Sequence, residues 1–295
     1  IDEKGKPLAW FHKIVGSDVF TYATPKIISG IMPNFLPRFI KNFGSYLMET
    51  VGPRFIAGKK GIKGAGPLPY DITNIQVQFL NDDPGVPQCW WRSVAPSTNC
   101  FAVECFIDEL AHAGDRDPYE LRMDLLRNNP RLLKVVKTAA QNANWYEPLP
   151  NGLFRGIAAH DFQSTMMAFV VEVSVNPSKK IEVHRVVCAV DCGIPINPKN
   201  IEAQVQGAMV FGLTATIKSS ITFKYGKPQQ SNFDDFPLLR MDEMPKVETY
   251  IIPSNNHPTG IGEVGVPIIA PAVANAVFAA TGKRLRKLPL VLKET

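Results

Sequence analysis

Cysteine and histidine are scarce. The 295 residues hold five cysteines, Cys89, Cys100, Cys105, Cys188 and Cys192. They are odd in number and form no C-x-x-C pair, which points away from zinc or iron–sulfur ligation within this chain. The five histidines (His12, His112, His160, His184, His257) are scattered and make no H-E-x-x-H motif. A G-x-S-x-G elbow and a Walker loop are also missing, which removes the serine-hydrolase and P-loop vocabularies. Excess charge of one sign is lacking, since 32 Lys+Arg against 27 Asp+Glu leave +5. The basic clusters GKKGIKG (58–64) and GKRLRKL (282–288) carry no interleaved aromatics, and they read as solvated faces rather than a nucleic-acid footprint. The longest apolar stretch, VPIIAPAVANAVFAA (266–280), is too short and too proline-broken to span a membrane. The chain opens at Ile1 without a charged-then-apolar leader, so we expect a processed product or one piece of a longer polypeptide.

What is present is ordinary globular composition, 45% hydrophobic and 20% charged, enough for a large core or two subdomains. DVFTYATP (18–25) reads as extended, and a Pro-rich helical connector follows it. YDITNIQVQFL (70–80) alternates like a strand. Ser97, Thr98 and Asn99 are candidate caps for a helix over 100–114, in which Cys100 and Cys105 read as core fillers. Asp117, Pro118 and Glu120 resemble a capping box for the next helix, and a third spans 131–145. A composition break at 146–156 divides the chain into subdomains 1–150 and 151–295. Strands are expected at 167–175, 180–191 and 246–253, with a helix over 199–217. Helices and hairpin-like pairs mix without strict alternation, which favours α+β.

HPTGIGEVGVPIIAPAVANAVFAATG (257–282) holds a formal G-x-G-x-x-G at Gly260, Gly262 and Gly265. A dinucleotide loop needs a strand running into the glycines, a helix opening on them and an acid about 20 residues later. Here a turn-rich spacer intervenes, and no acid follows Gly265 until Glu294. Pro267 and Pro271 place the expected helix start at Pro271, with Gly282 as its C-terminal cap. Glu263 is the more informative residue, because flanking glycines let other atoms approach its backbone. Local sequence leaves two readings open, an acid aimed into a cleft and a solvated turn acid.

Four colinear segments carry a resemblance: WWRSVAPSTNCFAVECFIDELAHAGDRDPYELR (90–122), CAVDCGIPINPKNIEAQVQGAMVFGL (188–213), QSNFDDFPLLRMDEMPKVETYIIPS (230–254) and GIGEVGVPIIAPAVANAVFAATGKRLRKLPL (260–290). Together they resemble the molybdenum-binding subunit of the xanthine dehydrogenase and aldehyde oxidase superfamily, nearest to the isoquinoline 1-oxidoreductase and periplasmic aldehyde dehydrogenase branch. The resemblance implies an α+β molybdenum-cofactor-binding domain whose two mixed subdomains form one side of a cofactor cleft. It implies that Glu263 is the general base of a water-dependent hydroxylation, with Gly262 in its loop. It also implies that Gln204 hydrogen-bonds the pterin and that Arg92 lies beside the metal site. The bland readings are a surface helix residue for Gln204 and an arginine stacked on Trp90 or Trp91 for Arg92. By the same resemblance the cofactor is molybdenum-molybdopterin in its cytosine dinucleotide form, with [2Fe-2S] clusters on a small partner subunit. No protein ligand to the metal is implied. The family's Gly-Gly-Gly-Phe-Gly-like stretch is missing, so a second chain or segment is expected to supply the Gly-rich half of the site. Gln163 stands where the resemblance implies glycine, and 218–227 also departs from the family. The expected substrate is a small aldehyde or N-heteroaromatic molecule, with no nucleic-acid partner. Periplasmic location is expected, with cytoplasmic as the alternative, and a scaffolding subunit without chemistry is the rival function.

Overall fold

The structure, a computed structural model, describes residues 1–292 apart from 4, 18, 20, 21, 24–26, 28, 29, 34, 51–59, 83 and 87. Most of the extended segment expected at 18–25 lies outside the described residues.

The centre is a four-stranded sheet in the order β3-β4-β5-β8. Strands β3 (Phe154–Phe162), β4 (Thr165–Val175) and β5 (Ile181–Asp191) pair antiparallel. β8 (Lys246–Ile251) then joins β5 in parallel. Both faces are covered. Helices α5 (Pro198–Ile217) and α6 (Val266–Thr281) share a core with Ala158, Phe169, Val171, Val186 and Cys188. On the opposite face α3 (Pro118–Leu125) and α4 (Pro130–Asn142) meet Ile157, Ala159, Ala168, Val170 and Val187. Burial on two sides explains the apolar runs MMAFVV in β4 and VVCAV in β5. The α+β expectation holds. The composition break at 146–156 is the connection from α4 into β3.

Helix α2 (Ala95–Ala113) contributes to both cores, with Cys100 and Cys105 on one side and Val103 and Ile107 on the other. It begins five residues before the expected start. Ser97, Thr98 and Asn99 therefore lie inside it, and Asn99 instead donates to Gly61 O and Lys63 O at 2.8 Å each. Asp117 does cap α3, accepting from Tyr119 N at 2.8 Å and Glu120 N at 3.1 Å. Glu120 accepts from the Tyr146 hydroxyl. The GKRLRKL run is not simply solvated, because Arg284 pairs with Asp108 at 2.6 Å and Arg286 with Glu109 at 2.7 Å, both on α2.

Apart from this body, β1 (Ala9–Gly16) and β2 (Asn74–Asn81) form a parallel two-stranded ribbon, and α1 spans Arg38–Thr50. β6 (Phe223–Lys224) and β7 (Lys227–Pro228) make a short hairpin before the 3-10 turn Met241–Glu243.

The α6 start departs most from expectation. The helix opens at Val266 immediately after Gly265, with Pro267 in its first turn and Pro271 inside. An internal proline costs about 3 kcal/mol. Burying Ile268, Ile269, Val273 and Val277 stabilises by roughly 1.5–3 kcal/mol each, so packing wins. Gly282, left-handed at φ 67°, ends the helix as expected.

Candidate active site

Three segments converge at the end of the sheet where the β3–β4 hairpin turns: the turn before α2, the exposed side of α5, and the loop 259–265 that feeds α6. The turn before α2 is strained. Ser93 (φ 70°) and the β-branched Val94 (φ 52°) both occupy the positive-φ region, where such residues are outliers. The buried Ser93 hydroxyl donates to Arg92 O at 2.6 Å and meets the Ser97 hydroxyl, which locks the turn. This geometry faces the Ser93 N–H toward Glu263, while the Arg92 side chain reaches the loop 259–265.

Arg92 joins the other expected residues. Its Nε donates to Gly262 O at 2.7 Å, and Nη2 donates to Gly262 O and to Gln204 Oε1, the latter at 3.0 Å. The guanidinium also lies 6.0 Å from the Phe211 ring centroid, itself packed against Trp91 at 4.9 Å. Gln204 sits on α5, whose start is fixed by Pro198 and by the Asn197 side chain accepting from Asn200 N at 3.1 Å. Gln204 is an exposed helix residue, yet its amide oxygen is occupied by Arg92. With its oxygen held by Arg92, the Gln204 amide still has its two N–H donors to offer.

Glu263 is half-buried. Its Oε1 faces Ser93 N at 3.4 Å, and its Oε2 accepts from Gln163 Nε2 at 3.2 Å. Of the two local readings of Glu263, a cleft acid or a solvated turn acid, these two protein donors favour the first. Sequence reasoning missed Ser93 and Gln163 as partners of this carboxylate. For Gln163 a signal existed: the two residues Gln-Ser separate two strand-like runs, as in a tight hairpin. The β3 strand itself went unread, so the hairpin did too.

Beside Arg92 runs an apolar groove of 590 Å³ lined by Trp91, Gly207, Phe211, Phe236, Leu238 and Met241. Among the described residues no three or more His, Cys, Asp or Glu side chains gather as a metal-binding group. The donors offered are amide and guanidinium N–H groups, a donor set suited to a polar organic ligand.

A family model described as a molybdopterin cofactor-binding domain matches residues 136–245, which include Gln163 and Gln204 but not Arg92 or Glu263. The chain is 31% identical over 229 residues to the beta chain of an isoquinoline 1-oxidoreductase from Brevundimonas diminuta, covering 76% of this chain and 29% of that protein. It is 31% identical over 241 residues to a nicotinate dehydrogenase subunit from Pseudomonas putida, covering 75% of this chain and 20% of that protein. It thus spans under a third of either relative. Among solved structures, the aldehyde oxidoreductase of Desulfovibrio desulfuricans superposes with a TM-score of 0.66 at 14% identity. That match covers 97% of this chain and 46% of the other, a likeness of fold.

Proposed function

Because this chain, over the portion it spans, belongs to the molybdenum-binding subunits of the xanthine dehydrogenase family, we propose that it forms one wall of a molybdenum hydroxylase active site with Glu263 as general base. The reaction is oxidation of an aldehyde or N-heteroaromatic carbon with water as the oxygen source. One observation carries this reading: a carboxylate, a guanidinium and an exposed amide from three separate segments meet at one end of the sheet.

The donor set fits a pterin. Gln204 offers an amide, and Arg92 braces it from behind while tying the Glu263 loop through Gly262 O. When bound, the cofactor would supply Lewis acidity and the two-electron acceptor of the oxidation. The chain supplies the rest. Glu263 takes the proton of the attacking water at its carboxylate, a role typically contributing about 10²–10⁴-fold. Ser93 N–H and the Gln163 amide hold the carboxylate in place as it does so.

Partners follow from what the chain leaves uncovered. Parallel sheets are normally covered on both faces, but the β1–β2 ribbon exposes Phe11, Val15 and Leu80, and α1 exposes Phe39 and Phe43. This supports a companion chain or segment with the Gly-rich half of the cofactor site. Four of the five cysteines, Cys100, Cys105, Cys188 and Cys192, are buried and free, which supports placing [2Fe-2S] clusters on a separate small subunit. On the family resemblance we assign the cytosine dinucleotide form of the cofactor and a periplasmic location. Recovery of the activity in the cytoplasmic fraction would overturn the latter.

Glu263→Gln tests the base. We expect unchanged molybdenum and pterin content in the assembled enzyme, with kcat lowered at least about 10²-fold. Turnover within a few-fold of wild type would remove the base assignment and favour a scaffolding role.

A further inference from the structure

We propose that Gln163 is the positioning residue of Glu263, its side-chain amide setting where the carboxylate points. The proposal rests on Glu263 being the base. It begins from a backbone outlier. The turn between β3 and β4 is two residues long, and both Gln163 (φ 52°) and Ser164 (φ 63°) are left-handed. Turns of this kind favour Asn and Gly, because both central residues need positive φ. A glutamine there is strained where a glycine would not be. Strain held at one point of a fold directs attention to what that residue touches.

Gln163 touches the base. Its Nε2 donates to Glu263 Oε2 at 3.2 Å across a hundred residues of chain. The hairpin tip that presents it is tied down on two sides. Thr165 Oγ1 contacts Gly260 O at 2.7 Å and Thr259 Oγ1 at 2.6 Å, fastening the hairpin to the glutamate loop. Arg131 Nη1 reaches Ser164 O at 3.3 Å while gripping Asp191 at 2.8 and 2.9 Å. The space for the side chain comes from Gly260, where a Cβ would stand 2.7 Å from Gln163 Oε1.

The consequence is geometric. The terminal torsion of a glutamate is broad, so a free carboxylate samples many orientations. Here Ser93 N–H faces one oxygen and the Gln163 amide holds the other, from two elements fixed independently. A neutral amide does this without adding a charge beside the base. The exposed Gln163 side chain makes no contact that the turn itself needs, and glycine satisfies the same backbone better. Fold and positioning are therefore separable at this residue.

The test uses the assembled, cofactor-loaded enzyme with Gln163→Gly and Gln163→Met, the latter keeping length without a donor. Both variants should retain molybdenum content and a KM within about two-fold, while kcat falls about 10-fold as orientation is lost. The Gly variant should melt no lower than wild type. In a crystal structure of the Gln163→Met holoenzyme the Glu263 carboxylate should be rotated or split between orientations. Adding Gln163→Met to Glu263→Gln should cost nothing further, since the two act as one unit. If Glu263→Gln collapses turnover while both Gln163 variants keep kcat within two-fold, or if the carboxylate pose is unchanged, the positioning role is wrong and the base survives. If Glu263→Gln itself keeps wild-type turnover, the base reading falls and the proposal with it.

Discussion

At Glu104 a fully buried carboxylate is made tolerable by the number of its donors. Tyr70 Oη donates to Oε1 at 2.6 Å, and Arg122 Nε and Ala159 N donate to Oε2 at 3.1 and 2.9 Å. Burial disfavours the Arg122 charge, yet Glu104 and Asp108 raise its guanidinium above the ordinary value. Asn275 Nδ2 closes the group by donating to Glu104 O at 3.3 Å and Ile157 O at 3.1 Å, so α2, α3, β3 and α6 share one polar knot. His160 is the opposite case. It is buried, stacked at 17° on Phe162, and its Nε2 has no hydrogen-bond partner among the described residues. Burial pushes its pKa down from 6.5 to about 4. As pH falls below 6.5 the unfolded chain binds a proton that the folded chain refuses until about 4. Stability is then complete above pH 6.5 and declines through that window, by up to about 3 kcal/mol. His160→Phe, which keeps a stacked ring, should flatten the loss. Denaturation midpoints at pH 7 and 4.5 decide it: an equal drop in wild type and variant would exclude His160 as the source.

Elements whose ends carry ordinary chemistry were legible, and those held by tertiary strain were not. The Asp117 cap and the Pro198 start can be read directly, because an acceptor or a preset φ acts locally. All five helices from α2 to α6 carry proline in the first turn. That rule misled at α6, where Pro267 and not Pro271 is the opening proline. The α2 start was missed although Pro96 marks its first turn, because Ser97, Thr98 and Asn99 offer ordinary caps just beyond it, while Val94 at φ 52° has no sequence signature. Glu263 could be singled out from its flanking glycines and Gln204 only through the family resemblance, while Gln163 needed the unread β3 to be placed opposite the glutamate loop. Where helices cross, a single glycine sets the distance. A Cβ at Gly212 of α5 would stand 2.6 Å from Ile269 Cγ2 and 2.9 Å from Val266 O on α6. Gly212→Val should therefore destabilise by about 1–3 kcal/mol and loosen cofactor retention by tilting Gln204 away from Arg92. Gly207→Ala on the same helix meets nothing nearer than Arg92 Nη1 at 4.0 Å and should be neutral or stabilising, by up to about 1 kcal/mol. Thermal melts of the two variants test the contrast, and equal melting temperatures would show that Gly212 does not set the crossing.

At the scale of the whole molecule the sheet body is finished and the ribbon is not. The central strands are covered on both faces, and most of their side chains are buried. The β1–β2 ribbon has two strands only, paired in parallel from Ala9↔Asn74 to Gly16↔Asn81. Its inner face is anchored by Trp10, 4% exposed and edge-on to Phe106 at 5.1 Å. Its outer face presents Phe11 at 58%, Val15 at 64% and Leu80 at 63%, with Val15 and Leu80 directly paired. Isolated two-stranded sheets are marginal in water, and clustered apolar side chains of this kind mark contact surfaces. Full burial of each such residue is worth roughly 1.5–3 kcal/mol, while every 1.4 kcal/mol is a tenfold change in affinity. We therefore expect Phe11→Asp together with Leu80→Lys to weaken capture of the proposed companion by at least about 10-fold. The body's own melting should barely move, since neither side chain reaches the sheet core. Co-purification of tagged wild-type and variant chains with the companion, followed by molybdenum assay of each eluate, reads the result. Equal capture with equal molybdenum would show that the ribbon's outer face is not where the site is completed.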